Sequence, residues 1–157
     1  MFEQLSTAYR RAADALTSLS PPVDLLFRLW VASVFFKSGL TKIGSWQGTL
    51  FLFENEYQVP LLPPELAAYA GTATELAVPV FLALGLGTRL FAIVLFGFNV
   101  VAVISYPGLS ESGMRDHVFW GLMMLVTIFH GPGKLSIDHL LRERVFGTRP
   151  GVAKWAH

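Results

Sequence analysis

Residues 28–42 read RLWVASVFFKSGLTK, and the fold turns on whether this stretch crosses a bilayer. With its flanks it forms an apolar segment over about 23–43, close to the roughly 20 helical residues that a hydrocarbon core of about 30 Å requires. Yet Arg28, Lys37 and Lys42 lie inside it or at its edge. A cation within a span costs roughly 2.5–3.5 kcal/mol on insertion scales, so each should face a partner, a polar cavity or the interface.

The rest of the chain supports a membrane reading. Of 157 residues 53% are hydrophobic and only 15% charged, against about 25% charged in soluble domains, and the mean hydropathy is +0.51. The length suits one integral bundle. A formal net charge of +1, with no Lys/Arg strip, predicts no nucleic-acid partner. The chain has no cysteine, which removes disulfides, thiolate metal ligands and Cys nucleophiles from its chemistry.

Four spans are predicted, at about 23–43, 65–86, 88–106 and 115–131. Ser20-Pro21-Pro22 opens the first, with Ser20 as a cap. Pro63-Pro64 precedes the second, Pro107-Gly108 ends the third, and Gly131-Pro132-Gly133 ends the fourth. Residues 1–21 lack a signal-peptide pattern. Phe2, Leu5, Tyr9, Ala12, Leu16 and Leu19 recur at helical spacing, which predicts an amphipathic helix on the membrane surface, or alternatively a cytosolic docking helix. Residues 134–157 form a tail in which Ser136 caps a second interfacial helix and Asp138 favours its first turn. The expected class is all-α: an integral membrane four-helix bundle (22–133) with interfacial amphipathic helices at both termini and a partly helical outer loop.

Charge sets the direction. Arg10, Arg11, Arg89, Lys134, Arg142, Arg144, Arg149 and Lys154 lie on one side, while the other carries Glu54, Glu56 and Glu111 with only Arg115 and the borderline Lys42. Both termini are therefore expected in the cytoplasm. The outer loop, SWQGTLFLFENEYQVPLLPPE, is too apolar for water. It predicts a short helix and then an extended segment over the bundle mouth, either a lid bearing Trp46, Glu54, Glu56 and Tyr57 or simple packing onto helix ends.

The candidate site collects the polar residues of the spans: Arg28, Lys37, Lys42, Thr72, Glu75, Asn99 and His117. From the rise per residue, Glu75 sits near the midplane, about 15 Å from either side, with Arg28 below and Lys37 above. Arg28, Phe35, Gly39 and Lys42 share one arc of the helix, with Lys37 about 180° from Arg28. Arg28 is thus the favoured partner of Glu75, Lys37 the alternative, and Lys42 is expected to snorkel outward. Pro79 cannot bond the carbonyl of Glu75, leaving a backbone acceptor beside the carboxylate. This constellation can serve as a register-fixing pair, a proton-relay or quinone site, or a path for a small ion or solute. Met114 and His117, three apart on one face, are weak candidates for a soft metal ion. His130 has no intramembrane histidine at matching depth, which argues against a bis-His haem within one chain.

The stretches RLWVASVFFKSGLTKI, FENEYQVPLLPPELAAYAGTATELAVPVFLALGLGTRL and GPGKLSID together resemble the DoxX family of small bacterial four-helix membrane proteins, over roughly residues 23–141. The shared positions are Arg28, Lys42, Glu75, Gly85 to Arg89, and Gly131 to Asp138. The resemblance implies a multi-pass protein of the bacterial inner membrane, linked to quinone-dependent redox or to metal and oxidative stress. Quinone is the ligand it implies. An accessory subunit of a membrane oxidoreductase, a small transporter and a scaffold for a protein partner or a homo-oligomer are the roles left open.

Overall fold

The computed structural model describes residues 2–146, and every regular element among them is an α-helix. Arg149 and Lys154 of the expected basic tail lie outside the described residues. The helices are α1 (Phe2–Ser18), α2 (Ser20–Gly44), α3 (Trp46–Asn55), α4 (Pro64–Leu84), α5 (Thr88–Ser105), α6 (Glu111–His130) and α7 (Ile137–Phe146). Three stretches are long and apolar enough to cross a membrane: Gln4–Gly44, Pro64–Leu84 and Thr88–Ser105. The fourth expected span is a helix here as well, although Glu111, Arg115 and Asp116 load its first turns with charge.

The packing order is α2 on α4, α4 on α5, α5 on α6, and α6 back on α2. Val31, Phe35, Val78, Leu82, Ala92, Leu95 and Met124 fill the centre. Large apolar side chains such as Leu26, Trp30, Leu90, Ile93, Val118 and Phe129 point outward. That distribution suits a lipid solvent, where association rests on close packing rather than on removing apolar surface from water.

Close packing is visible at Gly39. A Cβ there would lie 2.9 Å from Leu76 Cγ and 3.1 Å from Glu75 Cβ, so glycine lets the α2 and α4 backbones meet and sets Gly39 level with Glu75. From that level α2 has five residues left before Gly44, whereas α4 extends eleven residues back to Pro64. At 1.5 Å per residue, α4 projects about 9 Å beyond α2. The helix α3 packs against this projecting part, seating Phe53 on Ala67 and Ala68.

Ser20 does not cap α2. Leu19 holds the N-cap position in a right-handed helical conformation and makes no side-chain bond, because α1 runs almost directly into α2. The carbonyl of Leu19 already receives the Val23 N–H at 3.4 Å. Pro21 and Pro22 lack N–H groups and leave no orphan donors there. Ser136 does cap α7, accepting the His139 N–H at 3.2 Å.

Asp138 stands in the first turn of α7, as expected, but its carboxylate acts on another helix. Its carboxylate takes the backbone N–H groups of Gly87 and Thr88 and the Thr88 hydroxyl, each at 2.8 Å. It therefore caps the N-terminus of α5, where unpaired donors and the helix dipole favour an anion. Burial raises the pKa of this carboxyl, but the hydrogen bonds from Thr88 and Gly87, with the Arg28 charge, outweigh it and leave the pKa below 3.8. A depressed carboxyl pKa adds stability that is present above the unfolded value and fades as pH falls through the folded one. The stability gap between wild type and Asp138→Asn should accordingly narrow below about pH 4, as read by unfolding in detergent at stepped pH.

Candidate functional site

The carboxylate of Glu75 is met by Lys42. Lys42 Nζ lies 2.5 Å from Glu75 Oε2 and 3.0 Å from Ser38 Oγ, while the Ser38 hydroxyl donates to Glu75 Oε1 at 3.2 Å. The two charged side chains are 18% and 7% exposed, so neither is solvated freely. Ser38 and Lys42 stand four apart on one face of α2, and Gly39 brings that face against Glu75. Thr49, at the start of α3, donates to the Lys42 carbonyl at 3.0 Å and ties the helix corner above the pair.

Arg28, the favoured partner in the sequence reading, lies at the opposite end. One guanidinium nitrogen bonds the Leu135 carbonyl and another approaches Leu82 O at 3.5 Å. Leu82 belongs to the last turn of α4, whose carbonyls form the negative pole of the dipole. Asp24 and Asp138 are the charged neighbours of Arg28. The cation thus stabilises a helix end and does not pair with Glu75. Lys37 is exposed on the outward face of α2, and its backbone carbonyl accepts the Thr41 hydroxyl. Lys42, expected to snorkel outward, instead turns in toward the core.

A cavity of about 320 Å³ adjoins the pair, enclosed by α2, α4, α5 and α6 and roofed by α3 and the segment after it. Its floor carries Ser38, Lys42 and Glu75, and its walls include Phe35, Phe98 and Trp120. The roof contributes Phe53 and Tyr57. Tyr57 stacks edge-on between Phe53 and Tyr106, at centroid distances of 4.9 and 5.1 Å. Burial, with smaller contributions from Tyr106, Glu56 and Glu75, raises the Tyr57 pKa, so its hydroxyl remains a neutral hydrogen-bonding group.

His117 lines the far wall. The side-chain N–H of Asn99 donates to the His117 carbonyl at 3.1 Å, which leaves Asn99 Oδ1 as the acceptor 2.7 Å from His117 Nδ1. This assigns the proton to Nδ1 and makes Nε2 the acceptor of the neutral ring. The imidazole rests edge-on against Trp120, 4.8 Å between centroids. Ser105, also lining the cavity, is 3% exposed and its hydroxyl has no hydrogen-bond partner among the described residues.

The structure therefore brings together Lys42, Glu75, Asn99, His117 and Tyr57, and leaves out Arg28 and Lys37. Thr72 is buried on α4, its hydroxyl without a partner among the described residues, but it does not line the cavity. Trp46 packs on Tyr69 at 4.6 Å, while Glu54 and Glu56 are exposed. Met114 is 44% exposed, and no group of three His, Cys, Asp or Glu side chains converges on a metal-sized site among the described residues. Ser38, Ser105 and Trp120 were not singled out from the sequence. Ser38 carried a readable signal, since it lies four residues before Lys42 on the same helix face.

Compared with known proteins, residues 23–107 match the DoxX family. A Haemophilus influenzae protein described as uncharacterized is 30% identical over 134 residues, covering 80% of this chain and 86% of its own length. No solved structure matches.

Proposed function

The chain belongs to the DoxX family, and we propose that it holds a quinol headgroup in the cavity beside Lys42 and Glu75, as an accessory subunit of a quinone-linked system in the bacterial inner membrane. In this reading α2, α4, α5 and α6 all cross the bilayer, both termini are cytoplasmic, and α1 and α7 lie along the cytoplasmic interface. Arg89 in the first turn of α5, Lys134 after α6, and Arg142 and Arg144 on α7 support that direction.

The observation that carries the reading is the pairing of an aromatic-walled cavity with a single ion pair at its floor. At about 320 Å³ it lies at the small end of small-molecule sites, which suits one flat ring. The ammonium can donate to a ring carbonyl and the carboxylate beside it can accept from a ring hydroxyl, the two oxidation states of such a headgroup. His117 Nε2 offers a second acceptor across the cavity. A path for a solute through the bundle receives less support. Val31, Phe35, Val78 and Leu82 pack together in the core, and this apolar layer separates the Glu75 pair from the Arg28 end of the bundle.

Photoaffinity labelling with an azido-quinone in native membranes tests the proposal. Adducts are expected on the peptides containing Phe53–Val59 or Phe98–Trp120, and they should disappear in Gly71→Leu. A Cβ at Gly71 already lies 3.5 Å from Phe53 Cζ, so a leucine there occupies the cavity. Label confined to outward residues such as Trp30 or Phe129 would refute it.

A further inference from the structure

We infer that the opposite end of the molecule carries a second site, built for the phosphodiester headgroup of an anionic phospholipid. A concavity of about 510 Å³ opens there, between the start of α2, the α4–α5 turn, the end of α6 and α7. Arg89, Lys134 and Arg142 line it, together with His130 and His139.

Most of the acidic oxygens at this end are already engaged; Asp24 Oδ2 is buried and has no hydrogen-bond partner among the described residues. Asp138 is committed to three hydrogen bonds at the start of α5. Asp24 Oδ1 is held by His130 Nδ1 at 2.8 Å, and Glu143 lies 3.3 Å from His139 Nε2. Arg28 lies buried between Asp24 and Asp138 as their charged neighbour. The cations facing the concavity are not committed in that way. Among the described residues Arg89 reaches only the Phe129 carbonyl, at 3.5 Å, and Arg142 only His139 Nδ1, at 3.4 Å. Two guanidinium forks and an ammonium around one hollow match a phosphate bearing one negative charge and several acceptor oxygens.

Apolar surface beside the hollow favours a lipid over a soluble phosphate compound. Leu90, Phe129, Leu135 and Leu140 are each at least half exposed, and they lie on or next to the elements that form its rim. Acyl chains would cover them while the headgroup occupies the basic hollow, as in basic pockets on the cytoplasmic side of other membrane proteins. The inference rests on the reading that α4, α5 and α6 cross the membrane, and is independent of the quinol cavity.

The test is lipid retention by the full chain, extracted from vesicles of phosphatidylcholine containing a minor fraction of phosphatidylglycerol and examined by native mass spectrometry. Wild type should retain phosphatidylglycerol well above its bulk fraction. Lys134→Gln and Arg142→Gln should each reduce the enrichment about fivefold, the equivalent of about 1 kcal/mol per cation near the surface. Arg89→Lys, which keeps the charge, should retain most of it. Arg10→Gln/Arg11→Gln on α1 is the control for general surface charge and should leave the enrichment unchanged. Equal retention by Lys134→Gln/Arg142→Gln and wild type would overturn the site, as would an equal loss in the α1 control. Displacement of the lipid by millimolar glycerol phosphate would overturn the lipid assignment in favour of a soluble phosphate ester.

Discussion

Replacing Glu75 by leucine should destabilise the protein by about 3–5 kcal/mol, because it strands the Lys42 ammonium in a site with only the Ser38 hydroxyl for company. Lys42→Met should cost a similar amount, since it leaves the carboxylate largely buried and without its cation. The double variant Lys42→Met/Glu75→Leu should recover most of the loss. Two apolar side chains of similar volume need no desolvation of charge, and replacing a buried ion pair in this way is often neutral or better. A double-mutant cycle in mixed detergent micelles, followed by circular dichroism, should therefore give a coupling energy at least as large as the cost of either single change. Arg28→Met combined with Glu75→Leu is the informative contrast. The Arg28 guanidinium bonds carbonyls at the other end of the bundle, so those two changes should add. A large Arg28–Glu75 coupling, with none between Lys42 and Glu75, would mean that the ion pairing is misassigned.

The other large effect is expected at Gly85→Ala. Gly85 closes α4 in the left-handed region, φ +69°, with its N–H on Leu82 O and the next N–H on Phe81 O. A side chain there carries the left-handed penalty of about 1–2 kcal/mol. It also meets a crowded neighbourhood. A Cβ would overlap Arg28 Nη1 and lie 2.6 Å from Ser136 Cβ and 3.0 Å from the Ser136 backbone. Arg28 is only 1% exposed and cannot withdraw without losing the Leu82 and Leu135 carbonyls. Overpacking of that kind adds about 1–3 kcal/mol, so the total loss should be about 2–5 kcal/mol, readable as a lowered midpoint in thermal unfolding. Gly97→Ala should behave oppositely. It lies inside α5 where a Cβ meets nothing within 4 Å, and removing a helix-interior glycine should gain up to about 1 kcal/mol.

The helices were legible from hydropathy and from Pro/Gly punctuation, and their observed ends fall within a few residues of the expected ones. The identity of the Glu75 partner was not, and the reason is geometric. Depths counted from the ends of the spans assume that neighbouring helices begin and end at one level. Here α2 stops early and α4 projects past it to receive α3, so Lys42 sits one turn above Glu75 rather than at the surface. The helical wheel carried half of the answer, placing Gly39 and Lys42 on one arc; the stagger between helices is a tertiary property that spacing within one helix cannot reveal. Arg28 misled for a related reason. Its partners are backbone carbonyls at a helix end, and those exist only once α4 has terminated beside it. The pairing of Asn99 with His117 likewise depends on how α5 meets α6. Asp24 and His130 are 106 positions apart, and nothing local to either residue signals the other.

As proposed, the Lys42–Glu75 pair is the polar contact of a ligand cavity and not only a device for helix register. Quinone retained through purification, measured by organic extraction and oxidised-minus-reduced spectra, separates these for wild type and the folded Lys42→Met/Glu75→Leu variant side by side. Roughly stoichiometric quinone in wild type and at least tenfold less in the double variant, equivalent to about 1.4 kcal/mol of lost binding, is the expected result. Equal quinone in both proteins, with the variant as stable as wild type, would contradict it and leave the pair a structural feature alone.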